Sequence, residues 1–207
     1  MLDQCQSSQS GSHAAYGGPM RAFIAIMPPQ EAIDDLDDFL DVRRDAAPLR
    51  WTDPEHFHVT LAFVPNLAER CLDELCERLD RFFTRKSGFA TRIEGGGAFP
   101  DATQARVLWA GLGLDESERQ RLGRLSHDTR QVANKAGVET HGGRFKAHIT
   151  VARTKPTEAS SWVRLLQGYA GPPWNAKDVA LVQSQLGEGR GGRPRYDRLQ
   201  SFELSGP

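Results

Sequence analysis

Two stretches of the chain place a histidine and a threonine one residue apart: His58 and Thr60 in HVTLAF, and His148 and Thr150 in HITVAR. Each lies in an otherwise apolar, strand-like run. Side chains alternate across a strand, so His58 and Thr60 share one face while Val59 and Leu61 take the other. His148 and Thr150 divide from Ile149 and Val151 in the same way. The aliphatic faces supply core, and the histidine–threonine faces must meet something polar. Brought together, they would put two imidazoles and two hydroxyls in one cleft, a set that suits in-line displacement at phosphorus. A neutral imidazole takes a proton from water and an imidazolium gives one to the departing oxygen, both near neutral pH. Attacking and leaving groups stand on opposite sides of phosphorus, so acid and base must come from opposite walls. The hydroxyls can donate to the non-bridging oxygens, where negative charge grows. This chemistry requires no metal and no cofactor. A zinc site would draw on His56, His58, His141 and His148, but neither stretch has a carboxylate at ligand spacing, and H-x-H on one strand is a poor zinc signature.

A lone H-x-T on a half-buried strand is usually structural, so the elements around the two copies decide the matter. Residues 21–27, RAFIAIM, form an apolar run that Pro28 and Pro29 stop. Ile33, Leu36 and Leu40 then recur at helical spacing, with the neighbouring aspartates left to a solvated face. A strand over residues 56–64 follows, then a helix with Leu72, Leu75, Cys76, Leu79, Phe82 and Phe83 on one stripe. Residues 88–100, GFATRIEGGGAFP, suggest a strand running into a Gly-rich turn, which is weak evidence for phosphate binding without a helix after it. Residues 105–112 form another buried strand. Asp115 and Glu118 have the spacing of a capping box, and Gly137 is a suitable stop for the helix between. A strand over residues 146–154, a short helix over 160–169 and two late strands joined by GEGRGGRPR complete the chain. The order apolar strand, helix, H-x-T strand thus occurs twice. His58 and His148 are separated by 90 positions, and Arg21 and Arg106 by 85, which suggests a degenerate internal duplication. A single α+β domain of two pseudo-symmetric lobes over residues 20–207, each an antiparallel sheet with outer helices around a central cleft, is the expected architecture.

Bulk properties narrow the classes. The chain has 207 residues and a formal net charge of −1, so no global positive field points to long nucleic acid. Cys5, Cys71 and Cys76 make neither a C-x-x-C pair nor a disulfide framework, and a cytoplasmic setting is expected. No segment has the length and apolarity of a membrane span. Residues 1–19 are polar and rich in Ser, Gln and Gly, and are expected to be a disordered extension in which His13 has no role. A monomer is expected, since no long heptad pattern is present.

The two motifs and their flanks resemble the 2H phosphoesterase superfamily, in particular the bacterial and archaeal RNA 2′,3′-cyclic phosphodiesterases, also called 2′-5′ RNA ligases. MRAFIAI, RWTDPEHFHVTLAFV, FKAHITVAR and LVQSQL with RYDRL carry the likeness, which runs from Met20 to about Leu204. The resemblance implies metal-independent hydrolysis of an RNA or nucleoside 2′,3′-cyclic phosphate to a 2′-phosphomonoester. It implies that His58 protonates the leaving O3′, that His148 activates water, and that Thr60 and Thr150 hold the phosphate. Arg153 matches an arginine near the phosphate, and Phe63 an aromatic that stacks on the terminal base. The implied partner is RNA with a 2′,3′-cyclic phosphate end, or a cyclic nucleotide. Two alternatives keep the fold: 2′-5′ ligation of tRNA halves, and an RNA-end-binding module without turnover. His56 and His141 are read as supporting or solvated, and Ser184 and Tyr196 as structural. The run Arg190, Arg193, Arg195 and Arg198 suits an RNA strand or a plain exposed hairpin turn equally.

Overall fold

The computed structural model describes residues 18–206, apart from the side chain of Arg190; the expected N-terminal extension therefore falls almost wholly outside the described residues, Cys5 and His13 with it. In chain order the elements are β1 (Met20–Ile26), α1 (Gln30–Asp41), β2 (Arg50–Trp51), β3 (Val59–Leu67), α2 (Leu72–Phe83), β4 (Phe89–Thr91) and β5 (Ile93–Phe99). They continue with β6 (Ala105–Leu112), α3 (Glu116–Lys135), β7 (Ile149–Thr157), α4 (Ser160–Gln167), β8 (Trp174–Ala176), β9 (Asp178–Gln185) and β10 (Arg195–Glu203). Two four-stranded antiparallel sheets result, ordered β10-β9-β1-β3 and β2-β7-β6-β5, and β4 pairs with β8 apart from them. The duplication is visible in the pairing. β1 runs antiparallel to β3, and β6 antiparallel to β7, with one long connection containing a helix in each case.

Local signals act as physical chemistry requires. Ala32, Ile33, Leu36 and Leu40 are the buried stripe of α1. Asp115 caps α3 by accepting from the Glu118 amide at 2.8 Å, while the Glu118 carboxylate accepts from the Asp115 amide at 2.7 Å. Gly137 ends that helix region with a φ of 74°, open to glycine without strain. His127 of α3 is exposed.

Three expectations are corrected. The strand expected from residue 56 begins at Val59, because Pro54–His56 forms a short 3-10 turn after Asp53; His56 therefore does not share a strand face with His58. The strand expected from residue 146 begins at Ile149. The glycines of residues 95–97 are not a turn but part of β5. A Cβ on Gly96 would meet the Trp109 carbonyl at 2.6 Å, and one on Gly97 would overlap the Trp109 ring, so small residues here let β6 and α4 lie close.

The lobes are not independent domains. α3, which belongs by sequence to the second repeat, packs on β3 of the first, and Ser126 Oγ donates to the buried carbonyl of Leu61 at 2.6 Å. α1, from the first repeat, reaches the second lobe through Tyr169, whose hydroxyl donates to Asp35 at 2.5 Å and whose ring lies 4.6 Å from Phe39. Each connecting helix thus braces the other lobe, and one continuous apolar core runs from Ala22 to Leu204. Among the described residues no helix is long and apolar enough to cross a membrane.

Candidate active site

β3 and β7 end the two lobes' contributions at a shared cleft of about 240 Å³, lined by His58, Thr60, His148, Thr150 and Arg153 together. The alternation read from the sequence holds in detail. Val59 and Leu61 are 0% and 2% exposed, and Ile149 and Val151 both 0%, while the histidines and threonines between them are half-buried at the cleft. Register places Thr60 opposite Ala25 of β1, and Thr150 opposite Trp109 of β6. Neither threonine hydroxyl has a protein partner among the described residues, so both are available to a ligand.

The histidines are held in the same way in both lobes. Each stands just before its strand and uses Nδ1 to reach the carbonyl two residues back: His58 to His56 at 2.6 Å, and His148 to Lys146 at 2.7 Å. A carbonyl only accepts, so Nδ1 carries a proton in each, and Nε2 is left as the atom that gains or loses one.

Their surroundings differ. Phe23 stacks flat on the His58 ring at 4.3 Å and 18°, and Tyr196 stands edge-on to both. This aromatic enclosure removes water, and the His58 pKa falls to about 4, chiefly by burial; the His56 carbonyl opposes that fall, while His148, His56 and Arg153 add to it. His148 meets Phe99 edge-on at 5.0 Å and lies 6.3 Å from Trp109. Its pKa is also lowered, mainly by burial and then by Arg153 and Lys146, against the pull of the Lys146 carbonyl. With both values lowered from the ordinary 6.5, the two imidazoles are neutral at neutral pH.

Cations border them. Arg153 is exposed at the cleft, opposite Arg50 of β2 in the register. Arg21 lays its guanidinium 4.5 Å over the Phe63 ring. Neither Arg21, Arg50 nor Arg153 has an acidic partner among the described residues, whereas Arg193 is paired with Asp53. Arg193 thus turns into the cleft from the β9–β10 connection, while Arg195 pairs with Asp197 at 2.9 Å and Arg198 points to Ser201.

Several lining residues escaped sequence reasoning. Arg21 and Phe23 lie two apart on β1, and that spacing marked them as face-mates; the apolar run concealed it. Phe23, Ala25, Ala180 and Val182 form a second apolar cluster under the cleft, against which Phe63 and Tyr196 pack. Ser184 and Tyr196, read as structural, line the cleft as well. His56 is buried, with its ring 4.3 Å from Tyr196 and its pKa lowered by burial against the pull of Glu55. His141 is exposed, but its amide donates to the Phe63 carbonyl at 2.8 Å. Of the four histidines considered for zinc, His56, His58 and His148 line the cleft and His141 is exposed, and among the described residues they do not gather as one group of metal-ligand atoms. The group of possible metal ligands that does come together among the described residues is Asp53, Glu55 and His56, and Asp53 is engaged by Arg193.

Comparison with known proteins gives the family and the fold. A family model described as LigT like Phosphoesterase matches residues 26–109. A curated relative from Archaeoglobus fulgidus, named RNA 2′,3′-cyclic phosphodiesterase, is 30% identical over 186 residues, covering 89% of this chain and 100% of the relative. One of the same name from Geobacillus stearothermophilus is 25% identical over 187 residues, again 89% of this chain, which spans only 57% of that protein's length. Among solved structures, E. coli LigT complexed with 3′-AMP has a TM-score of 0.70 at 23% identity, with 91% of this chain and 99% of that one covered. At that identity the likeness concerns the fold.

Proposed function

This chain belongs to the LigT-like phosphoesterase family of cyclic phosphodiesterases, and on that premise we propose that it hydrolyses the 2′,3′-cyclic phosphate of an RNA or nucleoside end to a 2′-phosphomonoester. The observation that carries the reading is the pair of identically tethered histidines, one from each lobe, at one cleft with two unpartnered hydroxyls.

In this mechanism the cyclic phosphate sits between Thr60 and Thr150, which donate to its non-bridging oxygens, with Arg153 adding charge. His148 Nε2 takes a proton from a water that attacks phosphorus. The P–O3′ bond breaks, and His58 Nε2 gives its proton to O3′. His58 is neutral in the empty cleft, so the bound phosphate anion itself must raise its proton affinity. Arg21 lays its guanidinium over Phe63 at the cleft, and this cation–aromatic pair is the surface on which the terminal base would stack. The same reading makes the protein a cytoplasmic monomer that acts without metal or cofactor.

The test is product analysis in EDTA, with a nucleoside 2′,3′-cyclic phosphate and a short RNA ending in one. The expected product is the 2′-phosphate, lost in His58→Gln and in His148→Gln while both variants stay folded. Chelation that abolishes turnover would revive metal catalysis. Ligated product from tRNA halves would favour 2′-5′ ligation, and tight binding without product a non-catalytic end-binding module. A substrate with sulfur at the 3′ position separates the two histidines. A thiolate leaves without a proton, so it rescues His58→Gln and not His148→Gln.

A further inference from the structure

The net charge of −1 conceals a strong segregation on the side of the molecule away from the cleft. Between α2 and α3 run two adjoining concavities, of about 350 and 400 Å³, which share Arg85 and Lys86. Seven cationic side chains line them against two carboxylates, Glu118 and Asp128. Arg81, Arg85, Arg124 and Lys135 have no acidic partner among the described residues. Lys86 lies 3.6 Å from Asp128 and 4.6 Å over the Phe82 ring. Arg121 donates to the Ser87 carbonyl at 2.6 Å, which fixes the turn after α2 against α3. Local pairing therefore fails to neutralise the groove, and the acidic face of α1 lies elsewhere.

The groove connects to the cleft by the fold. α3 covers the back of β3, and β3 is the outer strand of its sheet, so one strand edge separates the two surfaces. The segment that leaves α3 runs along that edge, bonded to Phe63 through His141, and ends by carrying His148 into the cleft. Arg130 and Arg144 lie on this route; Arg130 donates to the carbonyl of Gly142 at 3.2 Å, and Arg144 is exposed.

We propose that the α2–α3 groove binds the phosphate backbone of the RNA strand whose 3′ end occupies the cleft, upstream of the reacting nucleotide. Arg78 pairs with Glu74, but the four cations without an acidic partner among the described residues, with the half-buried Phe82 and Phe89 among them, suit a single strand and carry no base code. The proposal rests on the reading of the cleft as a cyclic-phosphate site. It makes the enzyme favour long RNA over mononucleotides through contacts remote from the chemistry.

The test is the triple variant Arg81→Ala, Arg85→Ala, Lys135→Ala, all exposed positions outside the catalytic cleft. On an RNA of about twenty nucleotides ending in a 2′,3′-cyclic phosphate, kcat/KM is expected to fall about tenfold or more, and the salt slope of binding to drop by about 2, from about 0.7 per lost phosphate contact. On the nucleoside 2′,3′-cyclic phosphate kcat/KM stays unchanged, which also shows the variant folded. Equal effects on both substrates, or none on the RNA, would overturn the proposal. If neither substrate is turned over by the parent protein, the cleft reading fails separately. Fluorescence anisotropy with the same RNA then decides: binding weakened by the triple variant keeps the groove, and unchanged binding removes it.

Discussion

The aromatic enclosure of His58 makes a quantitative prediction. A general acid must hold a proton before it can donate one, yet His58 in the empty cleft has a pKa of about 4, chiefly because Phe23 and Tyr196 exclude water from its ring. A bound phosphate carries at least one negative charge. At about 4 Å and an effective dielectric of about 20, it favours the imidazolium by about 4 kcal/mol. At about 1.4 kcal/mol per pH unit this is close to three units, so His58 should titrate near pH 7 in the complex. The assay is NMR of the histidine Cε1–H signals across pH, with and without a nucleoside 2′-monophosphate, and with His58→Gln to assign the resonance. The stability of the empty protein supplies a second readout. The unfolded chain binds this proton below about pH 6.5 and the folded chain only near 4, so stability is full above 6.5 and declines as pH falls toward 4. The loss is at most about 3 kcal/mol, and His58→Gln should lack this share of it. A signal titrating near 6.5 in the empty protein would refute the burial reasoning. A signal near 4 that stays there when the ligand binds would refute the acid role.

Other perturbations test the frame around the histidines. Thr60→Val keeps the shape and removes a donor, so kcat should fall about a hundredfold in steady-state assays while KM moves little, as for loss of one oxyanion contact. Gly97→Ala forces a methyl into the Trp109 ring and should lower unfolding free energy by about 1–3 kcal/mol in urea melts. It should also slow turnover, because Trp109 flanks His148. Ser126→Ala strips the hydrogen bond from the buried Leu61 carbonyl and should cost about 1–3 kcal/mol. Unfolding should remain one cooperative transition in that variant, and two separated transitions would contradict the bracing of each lobe by the other's helix.

Much of the site was legible in one dimension because strand periodicity is local. A residue's face is set by its parity, so His58 with Thr60, and His148 with Thr150, declared a shared polar side beside fully buried aliphatics. Helix stripes and the Asp115 capping box are equally local and came through intact. The strand starts were misplaced, because Pro54–His56 closes a 3-10 turn whose apolar and aromatic neighbours resemble strand. The Gly-rich run was read as a turn because glycine's freedom is visible in sequence, whereas the Trp109 ring that needs the space is not.

The sequence by itself determined that two histidines and two threonines face polar surroundings from duplicated strands, since that follows from alternation and composition alone. Only the tertiary structure decided that the two faces share one cleft and that Phe23 from β1 and Tyr196 from β10 enclose one histidine and not the other. It alone brings Arg21 over Phe63, Arg193 onto Asp53, and a cationic groove out of a chain with almost no net charge. These are contacts between residues far apart in the chain, and their existence depends on which strands and helices pair, a choice made by burial of the whole core and not by any one segment.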